Sequence, residues 1–214
     1  MRVVIVGAGQ AGAALAAKLR TLGHQGEIVM LGDELAPPYQ RPPLSKAYLL
    51  GEMEEDRLWL RAPEFWADNG VELRLGQAVT DLDPVGKTVT VDGAPLEYDH
   101  LALTTGSTPR RLPAAIGGEL AGVYTVRTLA DVDAMRGEFQ PGRKAIIVGG
   151  GYIGLEAAAV ASKLGLDVTV LEMAPRILQR VAAPETSDYV RRLHQSHGVK
   201  VLEETGLDRL VGDD

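Results

Sequence analysis

Residues Val3-Val4-Ile5-Val6-Gly7-Ala8-Gly9-Gln10-Ala11-Gly12 decide how this chain reads. A β-branched run leads into glycines spaced G-x-G-x-x-G, and an alanine-rich helix is expected over Ala13 to Leu22. Gly7 permits the tight turn off the strand, Gly9 lets a pyrophosphate approach the backbone, and Gly12 lets the helix pack close to the sheet. The helix N-terminus offers free N–H groups and a positive dipole end to phosphates. The device recurs downstream. Ala145-Ile146-Ile147-Val148 precedes Gly149-Gly150-Gly151-Tyr152-Ile153-Gly154, and a second alanine-rich segment follows. One such turn is a weak signal. Two, each after a strand and before a helix, predict two Rossmann-like units.

Around the first turn, Glu27 to Leu31 reads as a second strand closed by Gly32-Asp33-Glu34. Strand, glycine turn, helix, strand and acid make a βαβ unit and a parallel sheet. Asp33 or Glu34 fits the acceptor of a ribose hydroxyl pair. Around the second turn, Asp167 to Leu171 is the matching strand. Glu172 follows Gly149 by 23 positions, near the roughly 20 expected of a ribose-binding acid. A carboxylate there accepts from a 2′-hydroxyl and repels a 2′-phosphate, which favours NADH. Arg176 pulls the other way, since an arginine can serve the 2′-phosphate of NADPH.

The 214 residues carry 45% hydrophobic and 24% charged side chains, ordinary for a globular protein. A net charge of −7 without a basic block argues against nucleic acid. No apolar run approaches the roughly 20 residues that span a bilayer, and no membrane role is expected. The N-terminus has the polarity of a signal peptide, but the glycine spacing explains it better, so a cytoplasmic location is expected. The absence of cysteine excludes disulfides, thiolate nucleophiles, Cys-x-x-Cys redox pairs and cysteine-bound metal. His194 and His197 lack further ligands nearby, so no metal site is expected; they read as complements to a helix C-terminus.

Between the turns lies Pro37-Pro38-Tyr39-Gln40-Arg41-Pro42-Pro43-Leu44-Ser45-Lys46, a loop stiffened by four prolines. Pro42-Pro43 can open a short helix to Leu50. Such a loop suits Arg41 and Lys46 to a ligand, and equally suits a rigid linker with solvated cations. Further on, Pro63 to Asn69 reads as a short helix stopped by Gly70, and Val71 to Leu75 as a strand. Gln77 to Tyr98 reads as antiparallel ribbon with an Asp92-Gly93 hairpin. His100 to Gly106 returns as a buried strand. Val123 to Arg127 reads as a strand, Thr128 as the cap of a helix to Phe139, and Pro184 to His197 as an amphipathic helix.

With the proline loop set between two glycine turns, the chain resembles the FAD-dependent ferredoxin and rubredoxin reductases that serve P450s and Rieske-type oxygenases. Gly32-Asp33-Glu34, Thr105-Gly106 and Val126-Arg127-Thr128 also carry the resemblance. It implies hydride transfer from NADH to FAD, then single electrons to a ferredoxin or rubredoxin. It implies FAD contacts at Gly7, Gly9, Ala11, Gly12, Asp33, Glu34, Arg41, Lys46, Val79, Thr105, Gly106 and Arg127. NAD contacts are implied at Gly149, Gly151, Tyr152, Ile153, Gly154, Glu156 and Glu172. Lys46 would sit beside the flavin N5 edge and pair across the domains with Glu156, which meets the nicotinamide; these two are the implied catalytic residues. Relatives end the His100 strand in Ala-Thr-Gly, and Thr104 departs from that pattern. Relatives also run on further. The expectation is therefore an FAD domain over 1–110, incomplete, an NAD domain over 111–214, truncated before its last strands, and no C-terminal interface domain. Two rivals are a non-catalytic or regulatory flavoprotein, as in apoptosis-inducing factor, and a flavin monooxygenase. The missing cysteines exclude the disulfide-reductase branch.

Overall fold

A computed structural model describes residues 1–212. The chain forms two compact units: Met1–Arg41 with Glu54–Thr108, and Pro42–Met53 with residues 109 onward. The proline loop is thus divided. Its first part stays with the first glycine turn, while residues 42–53 belong to the second unit, which departs from the expected division at residue 110.

In the first unit, strands β1 (Val3–Val6), β2 (Ile28–Gly32), β3 (Val71–Leu75) and β7 (His100–Leu103) form one sheet in the order β3-β2-β1-β7. All its pairings are parallel. Every residue of β1 and β2 is buried. This follows from having both faces covered, which requires unbroken apolar runs rather than alternation. On one face Val3, Ile5, Ile28 and Met30 pack with Ala13 and Ala16 of helix α1 (Gln10–Thr21), with Val71 and with Trp66 of helix α2 (Glu64–Asp68). On the other, Val4, Val6, Val29 and Leu31 meet Val89 and Val91. These two come from an antiparallel ribbon of β4 (Val79–Asp83), β5 (Thr88–Val91) and β6 (Ala94–Glu97). The β5–β6 turn has positive φ at both Asp92 and Gly93, the two-residue geometry that matches strand twist. The expected ribbon is therefore three-stranded and covers a sheet face.

In the second unit, β8 (Lys144–Val148), β9 (Asp167–Leu171) and β10 (Lys200–Leu202) form a parallel sheet in the order β10-β9-β8. Helix α4 (Tyr152–Lys163) packs Ala158 and Ala161 against Val168 and Val170. Helix α5 (Pro184–Ser196) ends before Gly198, whose φ is positive. Helix α3 (Leu129–Arg136) starts with a complete capping box: the Thr128 side chain accepts from the Asp131 amide, and Asp131 accepts from the Thr128 amide. It stops at Arg136 rather than Phe139. Val123 to Arg127 forms no strand, since no neighbouring strand pairs with it among the described residues. No helix among those residues is long and apolar enough to cross a membrane.

Candidate functional site

Each glycine turn is built the same way. Gly7 and Gly149 have φ of +110° and +111°, where a side chain is strained. Each donates its amide to the end of the neighbouring strand: Gly7 to the Leu31 carbonyl and Gly149 to the Leu171 carbonyl, both at 2.8 Å. A Cβ on Gly12 would strike the Gly7 carbonyl, and one on Gly154 the Gly149 carbonyl. Glycine at these positions brings helix and turn together. Gly9 and Gly151 are the helix caps, so the helices start at Gln10 and Tyr152, not at the alanine run. The first intrahelical bonds are made by Ala13 and Leu155. The amides of Ala11, Gly12, Tyr152, Ile153 and Gly154 consequently have no partner within their helices. Nothing lies within 4 Å of a Cβ placed on Gly9 or Gly151. Both loops therefore leave open space over Gly9 and Gly151 beside helix amides without an intrahelical partner, a chemistry that suits an anion.

The acids after the strands differ. Glu34 is committed: it accepts from the Tyr39 hydroxyl at 2.5 Å and from Arg41 at 2.5 Å. Arg41 also donates to the Tyr39 hydroxyl at 3.0 Å and lies over its ring. Asp33 is exposed, and its carboxylate makes no hydrogen bond or ion pair among the described residues. Glu172 lies across its own glycine turn, accepting from the Gly150 amide at 2.8 Å and from the Ala174 amide at 2.8 Å. Arg176 does not point outward as a free cation. It donates to the Ala182 and Gln179 carbonyls and to the Ser187 hydroxyl.

Beyond β7, Thr105 and Gly106 are exposed beside the first turn, and the Thr104 hydroxyl donates toward the carbonyls of Gly7 at 2.8 Å and Val6 at 3.0 Å. Val79, half-buried, opens β4 opposite Val91. Arg127 lies in the second unit, its amide bonded to Asp131.

The proline arm brings Lys46, one of the two implied catalytic residues, onto Glu156 of α4, the other. Residues Pro42–Ser45 make one 3-10 turn, and hydrogen-bonded turns continue to Gly51. Lys46 donates to Glu156 Oε2 at 2.6 Å. Ser45, 5% exposed, donates to the same oxygen at 2.6 Å. Both donors fall in the second unit with Glu156, so this pair forms within one compact unit and not between two. The arm is fastened by Tyr48 to Asp133 at 2.7 Å, by Arg136 over the Tyr48 ring, and by Lys163 to Glu52 at 2.8 Å. Ser45 was not distinguished in the sequence. Its partner lies 111 positions away, and no local pattern reports that.

His194 and His197 set their ring nitrogens against backbone carbonyls of α5, Val190 and Leu193, and His194 also against Leu155. No group of His, Cys, Asp or Glu able to hold a metal forms among the described residues.

Known proteins share this fold. The family model "Pyridine nucleotide-disulphide oxidoreductase" matches residues 1–214. The ferredoxin reductase subunit of 5,5'-dehydrodivanillate O-demethylase from Sphingobium sp. is 46% identical over 212 residues, 99% of this chain and 51% of the relative. Putidaredoxin reductase from Pseudomonas putida is 42% identical over 202 residues, 93% of this chain and 48% of the relative. The solved covalent complex of putidaredoxin reductase with putidaredoxin superposes with a TM-score of 0.93 at 38% identity, over 99% of this chain and 52% of that one. The chain thus spans about half the length of the curated relatives it matches.

Proposed function

The chain belongs to the pyridine nucleotide-disulphide oxidoreductase family, and we propose that it works as an NADH-dependent flavin reductase of the ferredoxin- or rubredoxin-reducing kind. The first unit takes FAD and the second takes NADH. Flavin, when bound, accepts a hydride from reduced nicotinamide and releases electrons singly, chemistry the cofactor itself supplies. The protein contributes position and field.

In the first unit the unpaired amides at the start of α1 hold the diphosphate. Asp33, uncommitted, accepts from the ribose hydroxyls, while Glu34 holds Arg41 in place. In the second unit the start of α4 holds the other diphosphate, and Glu172 favours a ribose with a free 2′-hydroxyl over one with a 2′-phosphate. Lys46 supplies positive charge that favours added electron density on the flavin, and Glu156 orients the nicotinamide. No side chain is needed as acid, base or nucleophile. The reading places the protein in the cytoplasm with a small iron–sulfur protein as acceptor.

The observation that carries this reading is the Lys46–Glu156 pair, 2.6 Å apart and built on the helix that follows a dinucleotide turn. The family's name includes disulfide chemistry, but this chain has no cysteine to perform it. The test loads the chain with FAD and mixes it anaerobically with NADH. The flavin absorbance is expected to bleach, and added ferredoxin or rubredoxin to be reduced. Lys46→Ala is expected to slow bleaching by about tenfold or more, the scale of one electrostatic stabiliser. Unchanged rates would remove Lys46 from the mechanism. A chain that holds FAD yet never bleaches would be a binding module. NADH consumption that needs an organic substrate would make it a monooxygenase.

A further inference from the structure

We infer that Arg176 is a positioning residue for nucleotide selectivity: it clasps the loop between β9 and α5, keeping Glu172 across the Gly150 amide and the site closed to a 2′-phosphate. The inference rests on the reading of the second glycine turn as a dinucleotide site.

The guanidinium is spent inside the loop. It donates to the Ala182 carbonyl at 2.9 Å, the Gln179 carbonyl at 3.2 Å and the Ser187 hydroxyl at 2.6 Å. Ser187 is 2% exposed and sits in the first turns of α5, so the clasp ties the loop to a buried anchor. Within the closed loop the Ile177 amide donates to Glu203 at 2.9 Å and the Leu178 amide to the Gly150 carbonyl at 2.9 Å. Ile177 is fully buried and occupies the space a Cβ on Gly150 would need. Leu178 has φ of +54°, a left-handed conformation that a leucine keeps only where its surroundings hold it. The loop is therefore sewn to the glycine turn on both sides of Gly150: its carbonyl takes Leu178, and its amide is taken by Glu172. An arginine that reads a 2′-phosphate must present its planar fork to the ligand. This one presents it to two carbonyls and a buried hydroxyl. Releasing it loosens the loop that fixes the carboxylate.

Calorimetric titration of NAD+ and NADP+ into the chain, Arg176→Ala and Ser187→Ala tests this, with a circular dichroism melt of each. Arg176→Ala is expected to weaken NAD+ about tenfold and to change NADP+ less than about twofold, the scale of one charge-assisted hydrogen bond. Ser187→Ala keeps the charge and removes one bond, so it shifts the ratio the same way by about threefold; it decides the matter if Arg176→Ala does not fold. Selective loss of NADP+ binding in Arg176→Ala would make the arginine a phosphate ligand and overturn the inference. Equal loss of both nucleotides would reduce it to a structural residue, also overturning it. If the unsubstituted chain bound neither nucleotide, the dinucleotide reading itself would fail, and this inference with it.

Discussion

Gly7 and Gly149 share a backbone angle and a hydrogen-bonding partner position, yet their surroundings are unlike. A side chain added at Gly7 would enter the backbone of Thr104; one added at Gly149 meets nothing within 4 Å. The cause is the strand beside each turn. β1 lies between β2 and β7, so the chain leaving β7 presses on the first turn. β8 is a sheet edge, paired only with β9 among the described residues. Its apolar side chains show it: all of β1 is buried, while Ile146 and Val148 on β8 are 61% and 48% exposed. The second turn is instead secured from the loop that follows β9, through Glu172 and Leu178 at Gly150. The first turn has Ala8 at that place, packed against Gly32. One local motif is thus supported by a neighbouring strand in one unit and by a following loop in the other.

The strongest way to break this comparison is to add a methyl at each first glycine. Gly7→Ala combines backbone strain of about 1–3 kcal/mol with overpacking of about another 1–3. Gly149→Ala carries only the strain, about 1–3 kcal/mol. Urea denaturation of both variants, followed by hydrogen exchange within each unit, should rank Gly7→Ala clearly lower. Equal losses would mean that β7 does not buttress the first turn.

Next in size is Gly150→Ala, which writes the first turn's G-A-G into the second. Ile177 has no room for the new methyl, so a loss of about 1–3 kcal/mol is expected. The reciprocal Ala8→Gly should cost only about 0.5–1 kcal/mol, from backbone entropy. Thermal melts that show no penalty for Gly150→Ala would remove the loop from the turn's support.

Thr104→Val tests the strand-side support more gently. It deletes a half-buried hydroxyl's bond to the Gly7 and Val6 carbonyls, worth about 0.5–1.5 kcal/mol. A matching fall in stability without any change in nucleotide selectivity is expected; a neutral result would make the hydroxyl incidental.

The smallest effect concerns where β7 joins β1. The Asp99 carboxylate accepts from the Arg2 amide at 2.5 Å, which holds its pKa below the ordinary carboxylate value. A lowered folded pKa gives stability that is present above the unfolded value, near about 4, and is lost as pH falls through the folded one. Asp99→Asn should therefore be slightly less stable than the parent at neutral pH, with the gap closing below about pH 4. A gap that persists in acid would trace the effect to something other than this charge.

The amino-acid sequence by itself determined the two strand–glycine–helix turns, the hairpin at Asp92-Gly93 and the capping box at Thr128. Each of these is settled by residues within a few positions of one another, through φ limits, short hydrogen bonds and hydrophobic period. It left Asp33 and Glu34 equivalent, Arg176 a candidate phosphate ligand and Ser45 unremarked, and it did not separate residues 42–53 from the chain around them. Those questions turn on partners that only folding brings near. Arg41 selects Glu34, Ser187 captures Arg176, Glu156 meets Ser45 and Lys46, and Tyr48 anchors on Asp133. A side chain's role depends on which partner, from 7 to 111 positions away, claims its few donors and acceptors, and that competition is decided by the tertiary structure.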